Sequence, residues 1–566
     1  MAPTHSKESG STFEYLITHY RWFFVVFFLF PLSLVNDIIH SFCAAYNSLM
    51  YPNKPHEHNK RVDQIRSEIR EWISEGCKTK LCTARPGWQA MSLRAGKYKS
   101  TYRNISVNLF DVLEINEDKK TCRVEPMCSM GKLTHALLPQ GWTIPVVPEL
   151  DDLTVGGLVA GVGIETSSHK YGLFQHICVS FEVVMADGSL VNCSASENSD
   201  LFYSIPWSHG TLGFVVSVEL QIIRARPYVE LTYLPFHSKR EAIQSFATHS
   251  TERKYDFVEC LAFSKEEYVV MVGNLTDSRN IIGATYNPIG MWYKEWFYKH
   301  VERFLGGKNG TAKAKAVGKS SEQHALLTAR YREIIPLRDY YHRHTRSLFW
   351  EMADIVPFGN NPVFRMFLGW MMPPKPSLLK RTQTEALRKL YELHHMVQDM
   401  LVPMSQLSDC LDVFDEQAGI YPLWLCPFKI PSNAGATGVG QSASTSPSGN
   451  RRKSARLLEA SGGAGQERGF IHPCDGGKGE DMFVDVGAYG NPSVPLYEAR
   501  ASHRNIEEYV RSVQGYQMMY ADSYMTRDEF RAMFDHSLYD KLRDSLPMCK
   551  QAFPEVYDKV SKAARI

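Results

Sequence analysis

Apolar and polar positions fall into four regimes along the chain. Trp22–Val35 carries no charge, and the nine residues after Arg21 are all large and apolar, leaving no polar face. Asn36-Asp37 interrupts this run, and Ile38–Tyr51 continues without charge. The first run is 14 residues, short of the ~20 that a spanning helix needs. Taken through Asp37 the segment is 30 residues with one charge, and Pro31 predicts a kink. The pattern predicts a membrane element, either a tilted single span or an interfacial hairpin. From Glu57 to Gly76 the spacing of Val62, Ile65, Ile69, Trp72 and Ile73 predicts an amphipathic helix, with Gly76 suited to its C-cap. Lys80 to about Arg226 reads as short strands separated by glycine turns. Within it, Cys178–Met185 and Leu190–Cys193 predict a hairpin around Ala186-Asp187-Gly188-Ser189, and Ser217–Ile223 a further strand. Pro227 to about Tyr421 mixes helical stretches with strands and is dense in aromatics. Residues 433–478 are rich in Gly, Ser and Ala and cannot bury a core, which predicts a disordered insertion. Ordered structure is expected to resume near Asp481, and Phe553–Val560 predicts a short closing helix with its proline in the first turn.

One stretch stands apart from these periodicities. Thr154–Gly172 holds five glycines in nineteen residues, among small apolar side chains and the hydroxyls of Thr166, Ser167 and Ser168. Glycine allows close backbone approach, and consecutive bare N–H groups form an anion-binding concavity. The stretch reads as a diphosphate cradle; the alternative is a tight turn between packed elements. Gly161-Val-Gly163 lacks a third glycine three residues on, so it is not a dinucleotide fingerprint, and no Gly-Lys-Ser/Thr makes it a P-loop.

Composition narrows the classes. With 566 residues and 44% hydrophobic content the chain can bury two domain-sized cores, and a net charge of +2 gives no pull toward nucleic acid. Twelve cysteines without a Cys-x-x-Cys pair suggest reduced thiols and supply no metal site. Lys54, Lys60, Arg61, Arg66 and Arg70 outnumber the upstream Lys7 and Arg21, which places the bulk of the chain on the cytosolic side of any membrane. Arg451-Arg-Lys-Ser-Ala-Arg456 is a basic run inside the insertion, read as a solvated loop.

The order of motifs is more specific than any one of them. The glycine loop is followed by a strand, an Ala186-Asp-Gly turn, Glu197-Asn-Ser-Asp-Leu-Phe202 and Gly210-Thr-Leu-Gly-Phe-Val215. This order resembles the FAD-binding domain of the vanillyl-alcohol-oxidase or p-cresol-methylhydroxylase type. Arg85-Pro-Gly-Trp88, Glu149–Leu153, Tyr340–Arg346, Pro357–Asn360, Gln398–Pro403, Tyr421–Pro427 and Asp485–Gly490 extend the likeness. Together they make the chain similar to the delta-24 sterol reductases, from about residue 13 to the C-terminus.

The resemblance implies an α+β fold. Residues 1–51 would form a tail and membrane helix, 52–226 a two-part FAD-binding domain, and 227–566 an α+β substrate or cap domain. It implies saturation of the carbon 24–25 double bond of sterols such as desmosterol, with FAD as cofactor and NADPH as electron donor. It also implies an endoplasmic reticulum membrane, a single pass and a cytosolic catalytic domain. Arg85–Trp88 holds no histidine for a covalent tether, so the FAD is expected to be non-covalent; His169 reads as a hydrogen-bonding or surface residue. The resemblance assigns to the cofactor Thr154, Val155, Gly156, Gly157, Leu158, Val159, Ala160, Gly161, Val162, Gly163, Ile164, Glu165 and Thr166, with Gly156, Gly157, Gly161 and Gly163 nearest the diphosphate. Protonation at carbon 24 would leave a cation at carbon 25. The candidate catalytic residues are Tyr489, His342, His344 and Arg346, with Tyr489 able to face the cation through its ring. A histidine beside arginines is pushed toward neutrality, which counts against it as an acid. With no second dinucleotide fingerprint, NADPH and sterol are expected to use the flavin in turn. Aromatics and methionines of 288–372 line a sterol slot or are plain core. Two alternatives remain: an alditol or sugar-acid oxidase on the same fold, and a non-catalytic membrane scaffold.

Overall fold

Two sheets account for most of the strands, the smaller wholly antiparallel and the larger antiparallel except for the parallel pairing of Thr285–Tyr286 with Arg332–Pro336. The computed structural model describes residues 20–35, 38, 57–86, 97–306, 331–374, 376–430, 469–471 and 481–562. Gly87-Trp88, Arg451–Arg456, nearly all of the expected insertion and most of Ile38–Tyr51 lie outside the described residues.

The smaller sheet has five strands, in the order Val112–Asn116, Thr121–Val124, Phe214–Gln221, Cys178–Val184 and Leu190–Ser194. The predicted hairpin is its edge, with Val183 opposite Val191. Its turn is held by Asp187, whose carboxylate accepts from the Ser189 amide at 2.9 Å, and Gly188 sits at φ 78° where a side chain would be strained. The strand expected over Ser217–Ile223 begins at Phe214 and ends at Gln221. Helix His58–Ser74 covers this sheet, burying Val62, Ile65, Ile69 and Trp72 as its spacing predicts.

The larger sheet has nine strands. Its order is Thr285–Tyr286, Arg332–Pro336, Tyr228–Phe236, Tyr268–Thr276, Phe257–Ala262, Leu423–Ile430, Asp481–Gly490, Met396–Pro403 and Tyr516–Gln517. Phe257–Ala262 is buried at every position, so its residues read as a continuous run rather than an alternation. Helices Lys239–Thr251, Leu407–Gln417 and Ala499–Ser512 pack on this sheet. The glycine stretch approaches it from elsewhere: the short helix Ser168–Tyr171 rests on Leu423–Ile430, and the Val258 amide donates to the Thr166 carbonyl at 2.9 Å.

Two expectations change. The closing helix is only Val556–Val560, and Pro554 lies before it, where its carbonyl accepts from Arg543 at 2.9 Å. The described part of the apolar N-terminal run is helical from Arg21 to Val35, with a π-helical turn over Val25–Leu29. That irregularity falls in the turn whose carbonyls a proline at 31 cannot serve. No helix among the described residues is long and apolar enough to cross a membrane.

Candidate active site

A cavity of about 470 Å³ runs between the glycine stretch and the larger sheet. Thr154, Gly157, Leu158, Gly161, Val162, Gly163 and Ile164 line it. The other six of the thirteen residues from Thr154 to Thr166 do not. Val155 and Val159 are core side chains at the start and end of one short helix, Val155–Ala160. Gly156 packs against Pro126, where an added Cβ would sit 2.7 Å from the proline Cβ, so its bareness serves packing. The Ala160 carbonyl accepts from the His209 amide at 2.8 Å. Glu165 and Thr166 lie behind the loop. Glu165 accepts from Arg343 at 2.9 Å, and Arg343 also holds Glu259 at 2.8 Å, an ion triad without exposure. Thr166 meets the Tyr340 hydroxyl at 3.2 Å. Ser167 donates to the Pro145 carbonyl at 2.8 Å, and Ser168 accepts from the Glu165 amide at 3.0 Å, so these hydroxyls shape the loop.

One part of the cavity gathers cations: Arg85, Lys99, Lys380 and Lys559 all line it. The Lys559 ammonium donates to the His209 carbonyl at 2.5 Å and Lys99 to the Thr83 carbonyl at 2.7 Å. Arg85 reaches the Thr154 hydroxyl at 3.1 Å. Burial, and then the charge of Lys99, lowers Lys559 to about 8; burial, and then Arg85, lowers Lys380 to about 8. Cations whose pKa values burial depresses, with Lys559 and Lys99 held on neutral carbonyls, suit an anion.

Elsewhere the cavity gathers acids. Asp399 and Asp485 sit on adjacent strands, Met396–Pro403 and Asp481–Gly490, and Glu149 joins them on the wall. Burial pushes Asp399 up to about 7. Burial and the charge of Glu165 push Glu149 up to about 8. Burial, Asp399 and Glu149 hold Asp485 well above the carboxylate range, and neither of its oxygens has a hydrogen-bond partner. The Tyr489 hydroxyl donates to Asp399 at 2.6 Å. Gly487 stands opposite Asp399, and a Cβ there would come within 2.6 Å of that hydroxyl and 2.7 Å of the Asp399 carboxylate. The absent side chain makes the pair possible. Phe349 lies 4.8 Å from the Tyr489 ring and 5.3 Å from Trp424. Leu348 and Phe349 line the cavity at φ 43° and 60°, a strained backbone of the kind that clusters at functional sites.

Of the four catalytic candidates, Tyr489 alone lines the cavity. His342 lies beyond it, 3.2 Å from the Thr134 hydroxyl and 3.6 Å from Asp151, and burial lowers its pKa. His344 is fully buried, stacked 4.4 Å from Phe349, and burial lowers it to about 4. Arg346 grips the carbonyls of Ile289, Met291, Trp292 and Lys294, which fixes a loop. These three are placed as supports behind the wall. His169, between the Thr166 and Tyr255 carbonyls, is likewise outside the cavity. Glu149, Asp399 and Asp485 lie within motifs that carry the family resemblance, but the motifs give them no chemical role, and no motif draws attention to Lys99, Lys380 or Lys559. An acid inside the apolar run Met396–Val402 was the available signal for Asp399.

Residues 78–194, which carry the loop and the hairpin, match the FAD binding domain family, and this makes the chain a protein with an FAD-binding domain. Comparison with curated proteins goes further. The chain is 49% identical over 552 residues to the delta(24)-sterol reductase of Rattus norvegicus, covering 98% of this chain and 95% of the relative. It is 35% identical over 581 residues to that of Arabidopsis thaliana, covering 99% and 94%. A shorter stretch of 162 residues is 28% identical to L-gulonolactone oxidase of Mus musculus, covering 28% and 36%. The chain belongs to the delta(24)-sterol reductase family.

Proposed function

We propose that this protein saturates the side-chain carbon 24–25 double bond of sterols such as desmosterol, with non-covalent FAD and electrons from NADPH. The observation that carries this reading is the cavity itself: one part holds half-buried cations beside the glycine loop, another holds buried acids under a tyrosine and two further aromatic rings. The cations suit a diphosphate, and the two-part domain expected for the p-cresol-methylhydroxylase type would bring the loop and Arg85 to it from separate segments. We assign the diphosphate to Lys559, Lys380, Lys99 and Arg85 together with the backbone at Gly157 and Gly161–Gly163. Reduced FAD, when bound, supplies the hydride.

The chain supplies the proton. Asp399, pushed up to about 7 by burial, is protonated about half the time at neutral pH, and one of its oxygens accepts from Tyr489. Transfer of the proton to carbon 24 leaves positive charge at tertiary carbon 25, which the rings of Tyr489, Phe349 and Trp424 face. Hydride arrival at carbon 25 completes addition of two hydrogens and two electrons. Asp485 and Glu149, both buried and raised, hold the next protons for the same wall. We place the protein in the endoplasmic reticulum membrane, anchored by its apolar N-terminal segment as a single pass, with the catalytic bulk on the cytosolic side.

The test gives desmosterol and NADPH to membranes containing the protein and follows sterols by gas chromatography. Conversion to cholesterol is expected, together with a yellow protein that NADPH bleaches. Bleaching by a polyol or sugar lactone without sterol conversion would replace this reading with the oxidase one, and a colourless protein would leave the scaffold.

A further inference from the structure

Helix Pro362–Leu368 is packed inside out. Its one charged residue, Arg365, is its buried one, 8% exposed, with the guanidinium donating to the Tyr293 carbonyl at 3.1 Å. Its apolar residues face outward: Phe367 is 70% exposed, Val363 67% and Met366 59%. The normal pattern of a helix on an aqueous surface is the reverse. The next turn adds Trp370, and helix Glu385–His394 adds Leu390 and Leu393, all exposed. Scattered surface apolar residues need no explanation, whereas a contiguous set marks a contact face.

What covers this face is indicated by what it adjoins. The apolar N-terminal helix packs directly on it: Trp22 meets Phe358 edge-on at 5.2 Å, Phe30 lies 6.3 Å from Phe364, and Arg21 binds Tyr391 of the Glu385–His394 helix. That N-terminal helix turns Val25, Leu29 and Phe30 inward and leaves Phe27 and Phe28 exposed. The two apolar surfaces are therefore one. Tryptophan and tyrosine stand at Trp292, Tyr293 and Trp370, and Arg388 and Lys389 are exposed on the neighbouring helix. Aromatic residues with apolar bodies and polar edges, next to cations, suit the headgroup level of a bilayer. Arg21 and Tyr391, from the N-terminal helix and the Glu385–His394 helix, line the cavity.

We infer that the face formed by Pro362–Met371, Leu390 and Leu393 lies in the outer layer of a lipid bilayer, a second membrane contact beside the N-terminal segment that sets the cavity mouth against the lipid. The docking stands on the surface alone; that a sterol uses this route rests on the reductase reading.

The test uses the full chain in dioleoylphosphatidylcholine vesicles, with an environment-sensitive fluorophore attached at Val363→Cys or, as a control on the exposed Glu117–Lys120 turn, at Lys119→Cys. The label at 363 is expected to shift to the blue and lose intensity to spin-labelled lipid, while that at 119 does neither. Equal water exposure at both sites overturns the docking. A blue shift at 363 without lipid quenching, with cross-links between chains, would assign the face to a second copy instead. Val363→Glu with Phe367→Glu, checked for unchanged flavin absorbance, should slow turnover of vesicle-borne sterol several-fold and spare sterol delivered in cyclodextrin. Equal rates from both sources overturn the entry route, and no turnover by the parent chain overturns the reductase reading while leaving the fluorescence result standing.

Discussion

The cationic and acidic parts of the cavity answer to the same burial in opposite ways. Removal from water lowers Lys380 and Lys559 to about 8, while it raises Asp399 to about 7 and Glu149 to about 8. Both sets are driven toward their neutral forms, because a low dielectric penalises charge of either sign. The consequences differ. A lysine near 8 still carries most of its charge at neutral pH, and a bound anion would hold that charge in place, which suits the cationic part to a ligand. A raised carboxyl can hold a proton near neutrality without a ligand, which suits the acidic part to proton transfer. A cavity with only one kind would bind or protonate; this one can do both.

The largest effect should come from removing the proton without removing the shape. Asp399→Asn keeps an acceptor for Tyr489 and is expected to lower sterol turnover by about 10²–10⁴-fold, the usual contribution of a general acid. Flavin absorbance should be unchanged. Near-parental turnover in this variant would remove Asp399 from the chemistry and leave Asp485 as the acid. The parent's turnover should fall as pH rises through about 7, since Asp399 must be protonated to act. Stability has the same sign. A carboxyl raised in the folded state contributes fully below its unfolded value and loses that contribution as pH rises to about 7 for Asp399 and about 8 for Glu149. Thermal melts of Asp399→Asn should therefore overlay the parent's in acid and lie above them past neutrality.

The cationic part predicts a smaller change in a different quantity. Lys559→Met should weaken FAD retention by about tenfold to a hundredfold, as loss of one charge-assisted contact does, with the sterol step intact once FAD is in excess. Retention measured by ultrafiltration and absorbance decides it: an unchanged flavin content would move the diphosphate away from this group.

How much of this was legible beforehand depends on the element. The amphipathic helix His58–Ser74 and the Cys178–Ser194 hairpin follow from local periodicity, and the structure keeps both almost residue for residue. The glycine stretch was visible as a loop of close approach, but its division was not: Gly156 answers to Pro126, thirty residues earlier, and Glu165 to Arg343, far downstream. Those partners are set by tertiary packing, which no local window contains. The histidine-arginine run drew attention because titratable side chains cluster there, yet His344 and Arg346 are spent on packing and on a loop. Asp485, Gly487 and Tyr489 alternate as a strand's side chains must, so two chemical groups flanking a bare position could be read from the sequence. The register that sets Asp399 opposite Gly487 could not, since the two strands lie some distance apart in the chain.

That register gives a sharper probe of the acidic part. Gly487→Ala puts a methyl group where the Tyr489 hydroxyl and Asp399 carboxylate now meet. Turnover is expected to drop about tenfold, as misplacement of a proton donor costs more than the packing change around it. Because the added atom touches none of the four cationic side chains, FAD retention should hold. Loss of FAD and turnover together would mean that the two parts of the cavity are one cooperative unit.

The smallest effect concerns the coupling of ligand and proton at the cationic part. Lysines near 8 are partly deprotonated in mildly alkaline buffer, and a bound diphosphate would raise them again. FAD binding should therefore take up protons, and affinity should weaken by at most about tenfold per pH unit above 8 for each lysine involved. Calorimetry in two buffers of different ionisation enthalpy reads the uptake directly. A flat affinity from pH 7 to 9 would mean that these lysines stay charged without a ligand, and the contrast between the two parts of the cavity would then rest on the carboxyls alone. Proton uptake that disappears in Lys559→Met but survives in Lys380→Met would assign the diphosphate to the side of the cavity nearest His209, where the Lys559 ammonium already lies.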